Sequence, residues 1–211
     1  LQSTIETASL HAKDIITKRQ ESIRQVQQQK TFATGWRPDS TKFDLINFSG
    51  YAAATKTSDV TGSSRMYYDH TKPYTKQIKF YNAYQPVATI QKPAAYIIPH
   101  GWQQVIHLLK INGVQIKQIQ KDTTMQLEYY QIENYKNSSH PFEKHHLNYN
   151  TTLKPVNDEI FVRKGDYIIY TGQPTDRYIV EVLEPQMDDS FFSWNFFDAI
   201  LGQKEGYSGY A

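Results

Sequence analysis

The chain has 211 residues, a formal net charge of +2 and no cysteine. That length supports a sizeable buried core. The missing cysteine excludes disulfides, thiolate catalysis and cysteine zinc sites, and near-neutrality removes any bulk case for nucleic acid or a membrane surface.

In chain order, residues 1–30 read as one helix. Leu1, Ile5, Ala8, Ala12, Ile15, Ile16, Ile23 and Val26 recur at spacings of three and four, which makes a single apolar stripe. A stripe this narrow needs a partner to cover it. Gly35 and Pro38 mark the exit. Residues 41–92 are rich in Tyr, Phe, Thr and Ile and read as strands. One begins at Phe43, Leu45 and Ile46, another is Gln77 to Tyr81, and a loop-like stretch from Thr55 to Pro73 separates them. Tyr96-Ile97-Ile98 is a short apolar strand, and Trp102, Val105, Ile106, Leu108 and Leu109 follow at helical spacing. Asn112-Gly113 is the left-handed stop, and Val114, Ile116 and Ile119 start another strand. Strand, helix, strand implies a parallel crossover. Strands are expected again at Met125 to Tyr130, Leu147 to Leu153, Ile160 to Val162 and Tyr167 to Tyr170, the last after a Lys164-Gly165-Asp166 turn. Gln173-Pro174 opens a helix that closes before Pro185. Asp189 and Ser190 look like N-cap residues of a final aromatic helix from Phe191 to Leu201.

These elements predict an α+β fold in three parts: an N-terminal helix over 1–34, an antiparallel β-rich unit over 35–92, and a mixed α/β unit over 93–211. Leu1 is not an initiator methionine, and the Gly206-Tyr207-Ser208-Gly209-Tyr210-Ala211 ending looks cut. The chain is therefore expected to belong to something larger.

The sharpest chemical constellation is His140-Pro141-Phe142-Glu143 with His145 and His146. His-x-x-Glu is a metal-ligand spacing, but a catalytic zinc needs a third ligand, a base and an open position. No histidine follows His146, so no distal ligand lies downstream, and a polar loop is the preferred reading. His100, just before a helix start, could meet an anion there or simply satisfy the cap, and His107 is expected on the solvated face. No Gly-x-Ser-x-Gly elbow and no glycine-rich phosphate loop is present. The Phe191–Phe197 segment is either core, with Phe192, Phe196 and Ala199 on one helical face, or a sugar or peptide platform. Trp102 and Trp194 are the tryptophans considered for binding.

Three stretches carry a resemblance. They are Ala95-Tyr96-Ile97-Ile98-Pro99 with Gly101-Trp102 and Leu109-Lys110-Ile111-Asn112-Gly113-Val114; Arg163-Lys164-Gly165-Asp166-Tyr167 with Gln173-Pro174; and Leu183-Glu184-Pro185-Gln186 running into Asp189 to Asp198. Tyr67-Tyr68-Asp69 and Phe80-Tyr81-Asn82 also fit. Together they resemble the region that follows the catalytic domain in a group of bacterial zinc carboxypeptidase-like proteins. The resemblance implies an upstream α/β peptidase domain that binds zinc through His-x-x-Glu and a distal histidine, with a glutamate as general base. None of those maps onto this chain, and His140 and Glu143 lie in the wrong region for the family's ligands. Residues 1–30 look like the helix just after the catalytic glutamate.

The expectation is therefore an ancillary segment that supports or gates an active site supplied upstream. It has no catalytic or metal residue and no cofactor of its own, and zinc is expected in the upstream domain. Its partner is that domain, with self-association through residues 1–30, and its setting is periplasmic or secreted. Two alternatives stand beside it: a stand-alone aromatic-rich module for glycan or peptide, and a metal-dependent hydrolase using His140, Glu143, His145 and His146.

Overall fold

The structure is a computed structural model that describes residues 1–202; the Gly206–Ala211 ending lies outside the described residues. The fold is α+β. The chain divides into two compact units, one built from Leu1–Gly35 and the chain from Ala88 onward, the other from Trp36–Val87.

The core of the first unit is the strand–helix–strand region. Strand β5 (Ala95–Ile98) and strand β6 (Lys117–Gln118) both pair antiparallel with β9 (Tyr167–Tyr170), in the order β5-β9-β6. The strands β5 and β6 therefore run parallel, as the crossover requires, but β9 sits between them. The second strand of the crossover is only two residues long. Val114 is instead buried in the core and Ile116 packs against its edge. Helix α3 (Gln103–Ile111) buries Val105, Ile106 and Leu109, one face at helical spacing. It stops where Gly113 takes a φ of 80° and its N–H bonds to the Lys110 carbonyl at 3.0 Å. Helix α4 (Asp176–Leu183) adds Ile179 and Val182, and Phe191 closes the cluster.

Residues 2–28 form two helices, α1 (Gln2–Leu10) and α2 (Ala12–Gln28), rather than one. His11, at φ −104° and ψ 14°, breaks the regular geometry. The i→i+4 bonds His11 to Thr7 and Ile15 to His11 nevertheless persist at 3.1 and 3.0 Å. The apolar stripe is largely uncovered: Ile5, Ile15 and Ile16 are all more than half exposed. Only the end of α2 is anchored. Val26 packs with Ile90 against a small core of Phe32, Val180 and Met187. Beside it the Lys92 ammonium bonds to Asp176 Oδ2 at 2.7 Å and to the Gln27 carbonyl at 2.8 Å.

A long hairpin, β7 (Thr123–Asn137) with β8 (Asn148–Val162), completes the first unit. The sequence suggested two separate strands at 147–153 and 160–162. They are one strand, because Lys154 to Glu159 continue the ladder opposite Gln126 to Gln131.

Strand β1 (Thr31–Pro38) pairs with β4 (Tyr84–Gln91), so Gly35 and Pro38 lie in and at the end of a strand rather than marking a break. The second unit is dominated by the hairpin of β2 (Asp44–Thr57) and β3 (Ser64–Phe80). The supposed loop from Thr55 to Pro73 is mostly strand. The chain reverses at Ser58 to Ser63, where Gly62 adopts a φ of 69°. Small and polar residues there masked the ladder. One face of the hairpin carries Ile46, Phe48, Tyr74, Ile78 and Phe80, and the other carries pairs such as Asn47 with Gln77 and Ser49 with Thr75. Among the described residues, no helix is long and apolar enough to cross a membrane.

Candidate binding cleft

The tip of the β7–β8 hairpin and the aromatic segment that follows α4 converge on one place. Beyond β7 the chain makes a second, smaller reversal. Phe142 and His145 exchange backbone bonds of 2.9 Å in each direction, and the turn between them is Glu143 and Lys144 at φ 47° and 71°. Two consecutive left-handed residues describe a type I′ turn, which Asn-Gly normally fills. Glu and Lys there hold a strained backbone.

The aromatic segment is not the helix that its spacing suggested. It makes a single turn, with Trp194 N–H bonding to the Ser190 carbonyl at 3.0 Å and Phe196 N–H to the Phe191 carbonyl at 2.9 Å. Asn195 at φ 66° then ends it. The Ser190 hydroxyl does cap the turn, accepting from Ser193 N–H at 3.0 Å, whereas Asp189 accepts from the Trp194 indole at 3.1 Å. The irregular turn sends Phe191 and Phe192 inward and leaves Trp194 half-buried. The Trp194 ring lies 5.5 Å from His145, edge to face, and 6.1 Å from Phe142.

Asn148 is the pin between the two segments. Its side chain donates to the Phe192 carbonyl at 2.9 Å and to Asp198 Oδ1 at 3.0 Å, and its Oδ1 accepts from Asn137 at 2.5 Å. Its main chain bonds twice to Ser193. A buried carboxamide is tolerated only when satisfied in this way. The result is an open cleft of about 520 Å³ lined by Asn137, Lys144, His145, His146, Asn195 and Asp198. His146 Nδ1 faces the Ser138 carbonyl at 2.8 Å, and a carbonyl only accepts. The ring therefore carries a proton on Nδ1 and donates it to that carbonyl.

A second cleft of about 560 Å³ lies between Gln115–Lys117 and Tyr170–Gln173. Its principal side chain is already committed: Gln173 accepts from Gln115 N–H and donates to the Gln115 and Tyr170 carbonyls.

Two buried carboxylates are structural. Asp176 is fully buried and accepts from Lys92 and from the Gly172 and Gln173 amides. Glu184, 3% exposed, accepts from the Tyr96 hydroxyl at 2.6 Å. Burial pushes the Glu184 carboxyl above its ordinary range, against the Tyr96 and Tyr130 hydroxyls that pull it down. Both tyrosines are pushed up in turn, first by burial and then by the Glu184 charge.

The candidate residues fall as follows. His100 is a satisfied neighbour of a turn. Its N–H and ring Nδ1 face Asp166 Oδ1 at 2.9 and 3.0 Å. Burial raises the Asp166 carboxyl, but the His100 and Arg163 amides and the His100 ring outweigh it and hold the group low. Trp102 packs edge-on against Phe197 at 4.9 Å, flanking the core. His107 is exposed. His140 and Glu143 are exposed and do not line the cleft, while His145 and His146 do. Among the described residues, no group of three His, Asp or Glu is placed to hold a metal ion. Trp194 borders the cleft through His145. Sequence reasoning missed Asn137, Asn195 and Asp198, which no motif links; only the hairpin register and the turn at Asn195 bring them together.

The chain is similar to Carboxypeptidase 2 of Trichophyton rubrum, with 27% identity over 124 residues. The match takes in 57% of this chain and 22% of that protein, so the chain spans about a fifth of the relative's length. No family model and no solved structure matches the chain. The relation is thus to part of a fungal carboxypeptidase.

Proposed function

We propose that this chain is an ancillary segment of a zinc carboxypeptidase-like protein, supporting or gating an active site that another part of the polypeptide supplies. The observation that carries the reading is the similarity to a stretch amounting to 22% of Carboxypeptidase 2. The uncovered stripe on α1 and α2 supports it, because large apolar patches rimmed by polar residues mark interaction surfaces. On this reading the zinc and the general base belong to the neighbouring catalytic body, and the bacterial origin and periplasmic or secreted setting follow from the sequence resemblance. Residues of this chain act by holding that body, not by touching the reacting atoms.

The test is an assay of the purified chain on C-terminal peptide substrates with added zinc. The expected result is no chelator-sensitive turnover. Turnover that survives repurification and disappears in His140→Ala overturns the reading in favour of a hydrolase built on the His140 cluster.

A further inference from the structure

We propose that the cleft between the β7–β8 hairpin tip and the Trp194 turn binds a neutral, polyhydroxylated ligand, a saccharide. This inference stands on the cleft alone and is independent of the ancillary role. Three features of the lining define the ligand's chemistry. The first is the mixture of hydrogen-bonding groups. Among the described residues, Asn137 donates to both the His146 carbonyl and Asn148 Oδ1, Asn195 donates once, to the His146 carbonyl, and Asp198 uses only Oδ1. The carbonyl oxygens of both amides and Asp198 Oδ2 are therefore acceptors without a protein donor, and they stand beside two donors, the second Asn195 amide proton and the Lys144 ammonium. A ligand that fills such a site must both donate and accept, as a hydroxyl does and a phosphate or carboxylate does not.

The second feature is charge. Lys144 offsets Asp198, and the remaining lining residues are amides and histidines. With no net negative charge the cleft has little to draw an ammonium or guanidinium group, so donors on a neutral molecule fit best. The third feature is the aromatic border. Phe142 is 57% exposed and lies beside the half-buried Trp194. Such rings offer an apolar surface next to polar groups, matching the C–H face of a pyranose whose hydroxyls point to its rim. The site is also built rather than incidental. Glu143, Lys144 and Asn195 hold left-handed backbone around it, and strain of this kind collects at ligand clamps.

The experiment titrates the chain with three neutral oligosaccharides, cellotetraose, chitotetraose and mannotetraose, and follows two-dimensional amide and indole spectra. The expected result is saturable perturbation of the Trp194 indole and of the Asn137 and Asn195 carboxamides by at least one of the three. Phe142→Ala and Trp194→Ala should each weaken that binding about three- to tenfold, the scale of one lost aromatic contact. Phe142 is largely exposed, so its variant keeps its fold even if the Trp194 variant does not. Tetralysine and tetraglutamate serve as charged probes. The proposal fails if none of the sugars perturbs the cleft by about 10 mM, if perturbation maps elsewhere, or if either charged peptide binds the cleft more tightly than the sugars.

Discussion

Asn195 carries more of the local architecture than its position in an aromatic run suggests. Its φ of 66° ends the turn in which Phe192 is buried and Trp194 half-buried. A left-handed conformation costs an ordinary L-residue about 1–2 kcal/mol, and Asn is among the residues that bear it best. Asn195→Ala should therefore destabilise the chain by about that amount, while Asn195→Gly, which loses the same carboxamide bond to His146, should destabilise it less. Urea unfolding of the two variants checks the order, and equal losses would place the cost in the carboxamide instead. A further residue-scale consequence concerns pH. Glu184 has its carboxyl raised in the folded state, so the protonated form is the one folding favours. Its contribution is fully present below the unfolded value and is lost as pH rises through the folded one. Tyr96 and Tyr130 are raised from the ordinary value of 10.0, so their contribution is present below that value and lost above it. Thermal melts should show Glu184→Gln flattening the decline between acidic and neutral pH. Tyr96→Phe and Tyr130→Phe should postpone alkaline unfolding. A Glu184→Gln profile parallel to the wild type would remove the carboxyl from this role.

Among the elements, α3, α4 and β9 were legible because one force dominates each. Their buried apolar positions recur at the period of the element and reach the main core, with Val180 of α4 in the smaller one. Leu109, with no exposed surface, should cost about 2–5 kcal/mol when cut to alanine; a change within about 0.5 kcal/mol would place it on the surface. The hairpins were harder. In β2–β3 and β7–β8 most residues are not buried, so cross-strand pairing rather than burial defines the strands, and pairing partners are not written locally. Thr55 to Pro73 read as loop for that reason, although Ser64 to Asp69 face Ala52 to Thr57 in register. The cleft was legible only in fragments. His145, His146 and Trp194 drew notice by residue type, whereas Asn137 lies far in sequence from Asn195 and Asp198, and it meets Asp198 through Asn148 and Asn195 at the His146 carbonyl. The tight turn offers its own check. Glu143→Asn with Lys144→Gly suits a type I′ turn and should raise the melting temperature, and a lower one would show that the two side chains make contacts that outweigh the strain.

For the whole molecule, the unresolved balance is between a stable core and a stretch of helix that has little to rest on. Isolated helices are marginal in water, because packing supplies most of their stability, yet Ile5, Leu10, Ile15 and Ile16 are all exposed. The proposed role in a carboxypeptidase-like protein supplies the missing surface as a neighbouring catalytic body, and it makes self-association of the separate chain an expected side effect that light scattering across concentration would register. The most direct measurement is amide hydrogen exchange over residues 2–28, compared between this chain as a monomer and the longest polypeptide in which it is encoded. The expected result is rapid exchange through α1 and the first turns of α2 in the separate chain, with marked slowing in the longer polypeptide. Slow exchange in the monomer would show that the stripe docks within the chain, and rapid exchange in both would show that no catalytic body covers it; either contradicts the ancillary role.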